Sequence, residues 1–292
     1  MQLHFIGVGK MGLPMAGHLA TGGHTVSVSD ISAERLTLAR TQNLHTVTDL
    51  TASAAAAQLV ISSLPDDAAL ISVAKQVAAA ASSQCIFADT STVSLPASEA
   101  AAQICAAKGL TYLRCTVSGN NKMAEAAKLT VMASGPRAAY DQVLPVLQLL
   151  GPNQFYLGGA EQARLMKLVV NLMIAQTSAM LTEALALGRK GGLDWRDMWK
   201  VLNVSAVGSP IIQAKSVQLM ERDFTPTFTV EQMLKDVNLI LQTGAASHTP
   251  LAQTALTQQL LHAAIAQGDA MQDYAAIIKV NERSAGLSVD AV

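Results

Sequence analysis

The chain opens on an apolar run that breaks directly into glycines: Leu3-His4-Phe5-Ile6-Gly7-Val8-Gly9-Lys10-Met11-Gly12-Leu13-Pro14-Met15-Ala16. This order predicts a strand, a tight turn and a helix, as in a dinucleotide-binding βαβ unit. Gly7 permits the turn, Gly9 lets backbone approach a pyrophosphate, and Gly12 lets helix and strand pack closely. The helix N-terminus presents unpaired N–H groups and partial positive charge to phosphate. Lys10 and Met11 complete the turn. Thr25-Val26-Ser27-Val28-Ser29 reads as the second strand, and Asp30 closes it at the position of a carboxylate that accepts from the adenosine ribose.

Half of the 292 residues are hydrophobic and 14% are charged, the balance of a globular chain with a large core. The net charge is −1 and no basic block is present, which argues against a nucleic-acid partner. Apolar runs are interrupted by polar residues short of a membrane span, and Met1 abuts the first strand, so a cytoplasmic protein without a signal peptide is expected. Cys85, Cys105 and Cys115 show no paired spacing and read as buried thiols. The six histidines are scattered, and no metal site is expected.

Short strands alternate with helices up to about residue 158: Leu59–Ser62, Cys85–Asp89, Leu110–Leu113 and about Leu129–Ala133, with Asp66 or Asp67 capping a helix and another over about Pro96–Lys108. This is an α/β Rossmann-type dinucleotide-binding domain, assigned to residues 1–160, with ligand at the carboxyl ends of its strands. Residues 161–292 are expected to form an all-α domain. It is joined by one long helix from about Glu161 to Gly191-Gly192 and followed by helices over Trp195–Val201, Ile211–Arg222, Val230–Ala245 and Pro250–Gln267.

Lys167 and Asn171 are four residues apart on the long helix and project from one face. By spacing alone a solvated surface is the simpler reading. In apolar surroundings, however, a lysine deprotonates more easily and can take a proton from an alcohol, with the amide holding the hydroxyl. Thr116-Val117-Ser118-Gly119-Asn120-Asn121-Lys122, expected to follow a strand, is either an ordinary polar loop or a carboxylate cradle of backbone N–H groups.

The opening GVGKMGLPMA resembles the signature of the β-hydroxyacid dehydrogenases, the family of 3-hydroxyisobutyrate dehydrogenase and tartronate semialdehyde reductase. The likeness continues through Ser63-Leu64-Pro65, Asp89-Thr90-Ser91-Thr92, Val117-Ser118-Gly119, Gly158-Gly159-Ala160 with Lys167 and Asn171, and Phe228 with Lys235-Asp236. The resemblance implies a two-domain NAD-dependent enzyme with an interdomain active site. It implies Lys167 as general acid/base, Ser118 and Gly119 on a substrate carboxylate, and Asn171 on the group being oxidised. Leu64, Pro65 and Thr92 would line the cofactor. Lys235 would touch cofactor or substrate, with Asp236 orienting it. It also implies a homodimer or homotetramer through the helical domains.

This chain departs from the family at Arg114-Cys115-Thr116, where Asp-Ala-Pro is usual, at Asn120, usually a second glycine, and at Ala127-Lys128, usually glycine and threonine. A substrate other than plain hydroxyisobutyrate is therefore expected, with Asn120 on an extra polar group. Asp30 repels a 2′-phosphate, Ile31-Ser32 offers it no base, and Arg35 lies on the following helix, so NAD is expected over NADP. Two alternatives stay open: an NAD(P)H-dependent aldehyde or imine reductase, and a non-catalytic NAD-binding protein.

Overall fold

The first strand, β1 (Gln2–Ile6), is flanked on both sides in a computed structural model that describes residues 1–289. After it come α1 (Gly12–Thr21), β2 (Thr25–Ser29), α2 (Ala33–Thr41), β3 (His45–Thr46), α3 (Leu50–Ala56), β4 (Leu59–Ser62), α4 (Asp67–Ala80), β5 (Ile86–Asp89), α5 (Leu95–Ala106), β6 (Thr111–Ser118), α6 (Asn121–Glu125), β7 (Thr130–Ser134), α7 (Arg137–Leu147) and β8 (Asn153–Tyr156). The eight strands form one sheet in the order β3-β2-β1-β4-β5-β6-β7-β8, parallel except where β7 runs against β6.

Period-two alternation fills both faces of this sheet. Leu59 and Ile61 of β4, Ile86 and Ala88 of β5, and Leu113, Cys115 and Val117 of β6 enter one core, while Val60, Phe87 and Tyr112 enter the other. Helix starts are fixed by side chains that accept from backbone N–H groups: Ser32, Asp49, Asp66 and Ser94 cap α2 to α5. Of the two acids proposed for α4, Asp66 is the cap, and Asp67 instead accepts from the Ser94 N–H at 2.9 Å and hydroxyl at 2.6 Å.

The remaining elements are α8 (Gln162–Lys190), α9 (Trp195–Val204), α10 (Pro210–Met220), α11 (Val230–Ala246), α12 (Ala252–Ala266) and α13 (Ile277–Ser284). The chain divides into a compact unit Met1–Lys167 and a second that begins at Leu168, so α8 runs through the boundary. The second unit is helical and holds two apolar clusters, one around Val230, Val237 and Ile277, the other around Trp199, Leu185 and Ile278.

Four details correct the sequence reading. β6 continues to Ser118, so Thr116 and Val117 are buried strand residues rather than loop. Residues Asn121–Glu125 form a short helix. β3, β8 and α13 carry too weak a local pattern to be seen: two residues, a half-exposed edge segment, and an eight-residue helix. Finally, α8 is long and apolar enough by length and composition to cross a membrane, with mean hydropathy 1.4 over its most apolar window, although the core helix of a globular protein passes the same test.

Candidate active site

The glycine turn is built as its chemistry requires. Gly7 has φ +90°, and a Cβ there would lie 2.3 Å from the Ser63 carbonyl oxygen. A Cβ on Gly12 would lie 1.9 Å from the Gly7 carbonyl oxygen, so only glycine lets α1 start this close to β1. Gly9, by contrast, has nothing within 4 Å of its Cβ position, which leaves an open cradle beside backbone for a diphosphate. Asp30 follows β2, where its carboxylate accepts from the N–H of Val8 at 2.8 Å and of Ser32 at 2.8 Å. These bonds fix the carboxylate and leave it lone pairs for two further donors, such as a ribose diol. Lys10, like Arg35 of α2, lines the groove beside Gly9. The residues present fit a dinucleotide.

The other expected cofactor residues follow the same carboxyl edge of the sheet. Leu64 and Pro65 leave β4, and Thr92 lies after β5. Their two segments are tied together, because the Leu64 N–H donates to Ser91 Oγ at 2.8 Å, and Ser91 Oγ donates to Asp89 Oδ1 at 2.6 Å. Ser62 Oγ also donates to Asp89 Oδ1, at 2.5 Å.

Ser118 ends β6 and Gly119 follows at φ +138°, where a Cβ would meet Leu129 at 2.6 Å. Asn120 has a role the sequence reading missed: its Oδ1 accepts from the Met123 N–H at 3.0 Å and caps α6. Its NH2 group remains to donate, and Oδ1 keeps a second lone pair.

The start of α8 is anchored to three strands. Ser134 Oγ of β7 donates to the Ala160 carbonyl at 2.6 Å and accepts from the Ala163 N–H. Thr116 Oγ1 donates to the Ala163 carbonyl at 3.0 Å, and Arg114 of β6 pairs with Glu161. The Arg-Cys-Thr departure at 114–116 thus serves helix attachment. Arg164, fully buried, pairs with Asp89 and donates to the Ser91 carbonyl, to Ser98 Oγ at 3.1 Å and to Tyr112 Oη at 3.0 Å. Burial works against its charge, but Asp89 and Tyr112 more than offset that and hold the guanidinium above its ordinary pKa. Lys167 lies one helical turn beyond, half-buried.

In the second unit Asn171 is buried on α8, and its Nδ2 donates to Asp236 Oδ2 at 2.6 Å. A carboxylate only accepts, so this bond sets the amide: one N–H faces Asp236, which leaves the second N–H and the carbonyl oxygen for other partners. Lys235 Nζ stands 3.3 Å from Asp236 Oδ1. Asp236, assigned in the sequence reading to orienting Lys235, touches Asn171 as well. The Arg164 cluster and the Asn171–Asp236 pair were missed because their partners lie 75 and 65 residues apart, outside any local pattern.

The three thiols are buried, which pushes Cys85 up to about 11 and Cys105 and Cys115 to about 12, so they are inert as nucleophiles. Among the described residues no group of His, Cys, Asp and Glu could hold a metal ion.

Comparison with known proteins places the chain among nucleotide-dependent dehydrogenases. The family model described as the NAD binding domain of 6-phosphogluconate dehydrogenase matches residues 2–158. The one described as NAD-binding of NADP-dependent 3-hydroxyisobutyrate dehydrogenase matches residues 161–281. The chain is 32% identical to 2-(hydroxymethyl)glutarate dehydrogenase of Eubacterium barkeri, over 99% of this chain and 97% of that one. It is 28% identical to 2-hydroxy-3-oxopropionate reductase of Escherichia coli, over 97% of both. Its structure resembles Mycobacterium tuberculosis 3-hydroxyisobutyrate dehydrogenase, solved with L-serine, with a TM-score of 0.88 at 25% identity, covering 95% of this chain and 98% of that one.

Proposed function

Because the chain belongs to the β-hydroxyacid dehydrogenase family, we propose that it is an NAD-dependent dehydrogenase of a small 3-hydroxy carboxylic acid, with Lys167 as general acid/base. The observation that carries this reading is the pair Lys167 and Asn171, one turn apart on α8, with the Asn171 amide set by Asp236. Gly7, Gly9, Lys10, Met11 and Gly12 hold the diphosphate of the cofactor, Asp30 its ribose, and Leu64, Pro65 and Thr92 its nicotinamide side. NAD, when bound, supplies the hydride acceptor. Lys167 takes the hydroxyl proton in oxidation and returns it in reduction. The second N–H of the Asn171 amide donates to the oxygen of that hydroxyl and orients it while its proton faces Lys167. Ser118 and the backbone at Gly119 bind the carboxylate, and Lys235 adds positive charge.

The capping role of Asn120 sharpens the substrate. With Oδ1 engaged on the cap, the NH2 group is the end that best suits a substrate, and it fits an acceptor such as a second carboxylate or a carbonyl, with Lys122 close in sequence. Asp30 favours NAD because a carboxylate repels a 2′-phosphate. The same reading includes a cytoplasmic homo-oligomer. The oligomer is supported by Met166, Val169, Met173, Met180 and Leu187, exposed apolar residues at heptad spacing along α8.

The test is NADH formation from NAD across a panel of 3-hydroxy acids with and without a second carboxylate, with Lys167→Ala alongside. One acid should be turned over, and the variant should lose about 10²- to 10⁴-fold in kcat. Full activity of Lys167→Ala, or faster turnover with NADP at equal concentration, would overturn the corresponding assignment.

A further inference from the structure

Arg164 precedes Lys167 by three residues, so the two side chains are neighbours on one helix. Its guanidinium uses all three nitrogens: one on Ser98 Oγ, one on the Ser91 carbonyl, and one on both Asp89 and Tyr112 Oη. Asp89 and Ser91 in turn hold the Leu64 N–H and Ser62, so a single side chain links the turn carrying Lys167 to both segments after β4 and β5.

A fully buried ion pair adds little net stability over apolar packing, and its best-attested use is to fix one arrangement among several. The planar fork of arginine suits that purpose, since its donors point in fixed directions. Glu161, on the same end of α8, makes the reciprocal pair with Arg114 of β6. The helix end therefore bears an acid that meets a strand base and a base that meets a strand acid, a polarity that resists rotation or sliding of the helix by one residue.

We infer that Arg164 is a positioning residue, which sets the register of Lys167 against the Asp89–Thr92 segment through its fork of hydrogen bonds. The inference rests on the reading of Lys167 as acid/base. It predicts that the fork geometry of Arg164 maintains the rate, whereas folding requires only that neither buried charge is left without its partner. The discriminating variant is Arg164→Lys, which keeps a cation opposite Asp89 but cannot reach Ser91, Ser98 and Tyr112 together. A second variant, Asp89→Asn with Arg164→Gln, removes both charges while keeping hydrogen-bonding amides, and gives the same readings should the first not fold.

Six quantities are measured beside the unaltered protein and Lys167→Ala: NAD affinity by calorimetry, kcat, KM, the pH profile of kcat, the deuterium isotope effect with substrate labelled at the carbinol carbon, and amide exchange over residues 160–170. The expected result is NAD affinity within about threefold and kcat down by about 100-fold, the scale for a misplacement near 1 Å. The isotope effect should rise as hydride transfer becomes rate-limiting, and amide exchange should be faster at the start of α8. A purely structural role would instead lower kcat only with the folded fraction and leave the isotope effect and pH profile unchanged, which would overturn the inference. If Lys167→Ala itself retains turnover, the acid/base reading fails first and the positioning role falls with it.

Discussion

The sheet unit and the helical unit both bury carboxylates against cations, but in different company. In the sheet unit the buried acid, Asp89, stands at the end of a strand among Ser62, Ser91 and Tyr112, beside residues assigned to the cofactor. In the helical unit Asp236 meets Asn171 and Lys235, whereas the buried Glu282 and Asp273 make their contacts elsewhere. Glu282 of α13 receives both Arg222 nitrogens at 2.8 Å and Arg189 of α8 at 2.5 Å. Asp273 accepts from Lys215 of α10 at 2.6 Å and from the Thr227 N–H and hydroxyl. Burial pulls Lys215 below its ordinary pKa, against the attraction of Asp273. Strands are registered by a backbone ladder, so a buried ion pair there is free to organise a site. Helices share no such ladder, and in the second unit ion pairs fix which helix meets which.

Glu282→Ala tests this contrast most severely. It leaves Arg189 and Arg222 partly buried without their acid and should cost about 3–5 kcal/mol in urea unfolding, with kcat per folded molecule retained. A collapse of kcat in protein that unfolds normally would break the comparison.

A pH effect should belong to the sheet unit. His4 is buried between Ser27 and Ser29 hydroxyls, and desolvation lowers its pKa to about 4 from an ordinary value of 6.5. Between those values the unfolded chain binds a proton that the folded chain does not, so stability falls as pH drops from 6.5 towards 4. The loss is bounded at about 3 kcal/mol. Unfolding free energies measured across this window should fall less steeply in His4→Gln.

Asp236→Ala should cut kcat/KM by about tenfold while NAD affinity changes little, because it frees the Asn171 amide to rotate, and leaving that buried amide unpaired should cost about 1–3 kcal/mol of stability. An unchanged kcat/KM would remove Asp236 from the site.

The smallest effect is expected at Ala127, which holds φ +51° where the family has glycine. Ala127→Gly relieves that strain but loosens the unfolded chain, leaving a net gain of roughly 0.5 kcal/mol that a small rise in melting temperature would report.

Much of the fold is legible in local patterns. The Gly7–Gly12 turn, the capping of α4 at one of two adjacent acids, and the unbroken apolar period of α8 each lie within a few residues, where sterics and periodicity act directly. The candidate residues of the first unit follow the same logic, since parallel strands bring their carboxyl ends to one edge. Only the tertiary structure decided the partners: Asp89 for Arg164, Glu161 for Arg114 and Asp236 for Asn171. The long-range pairs span 75, 47 and 65 residues. No local periodicity encodes such a choice. A buried charge or amide takes whichever partner the packing brings within hydrogen-bond reach, and that is settled only when the elements are assembled.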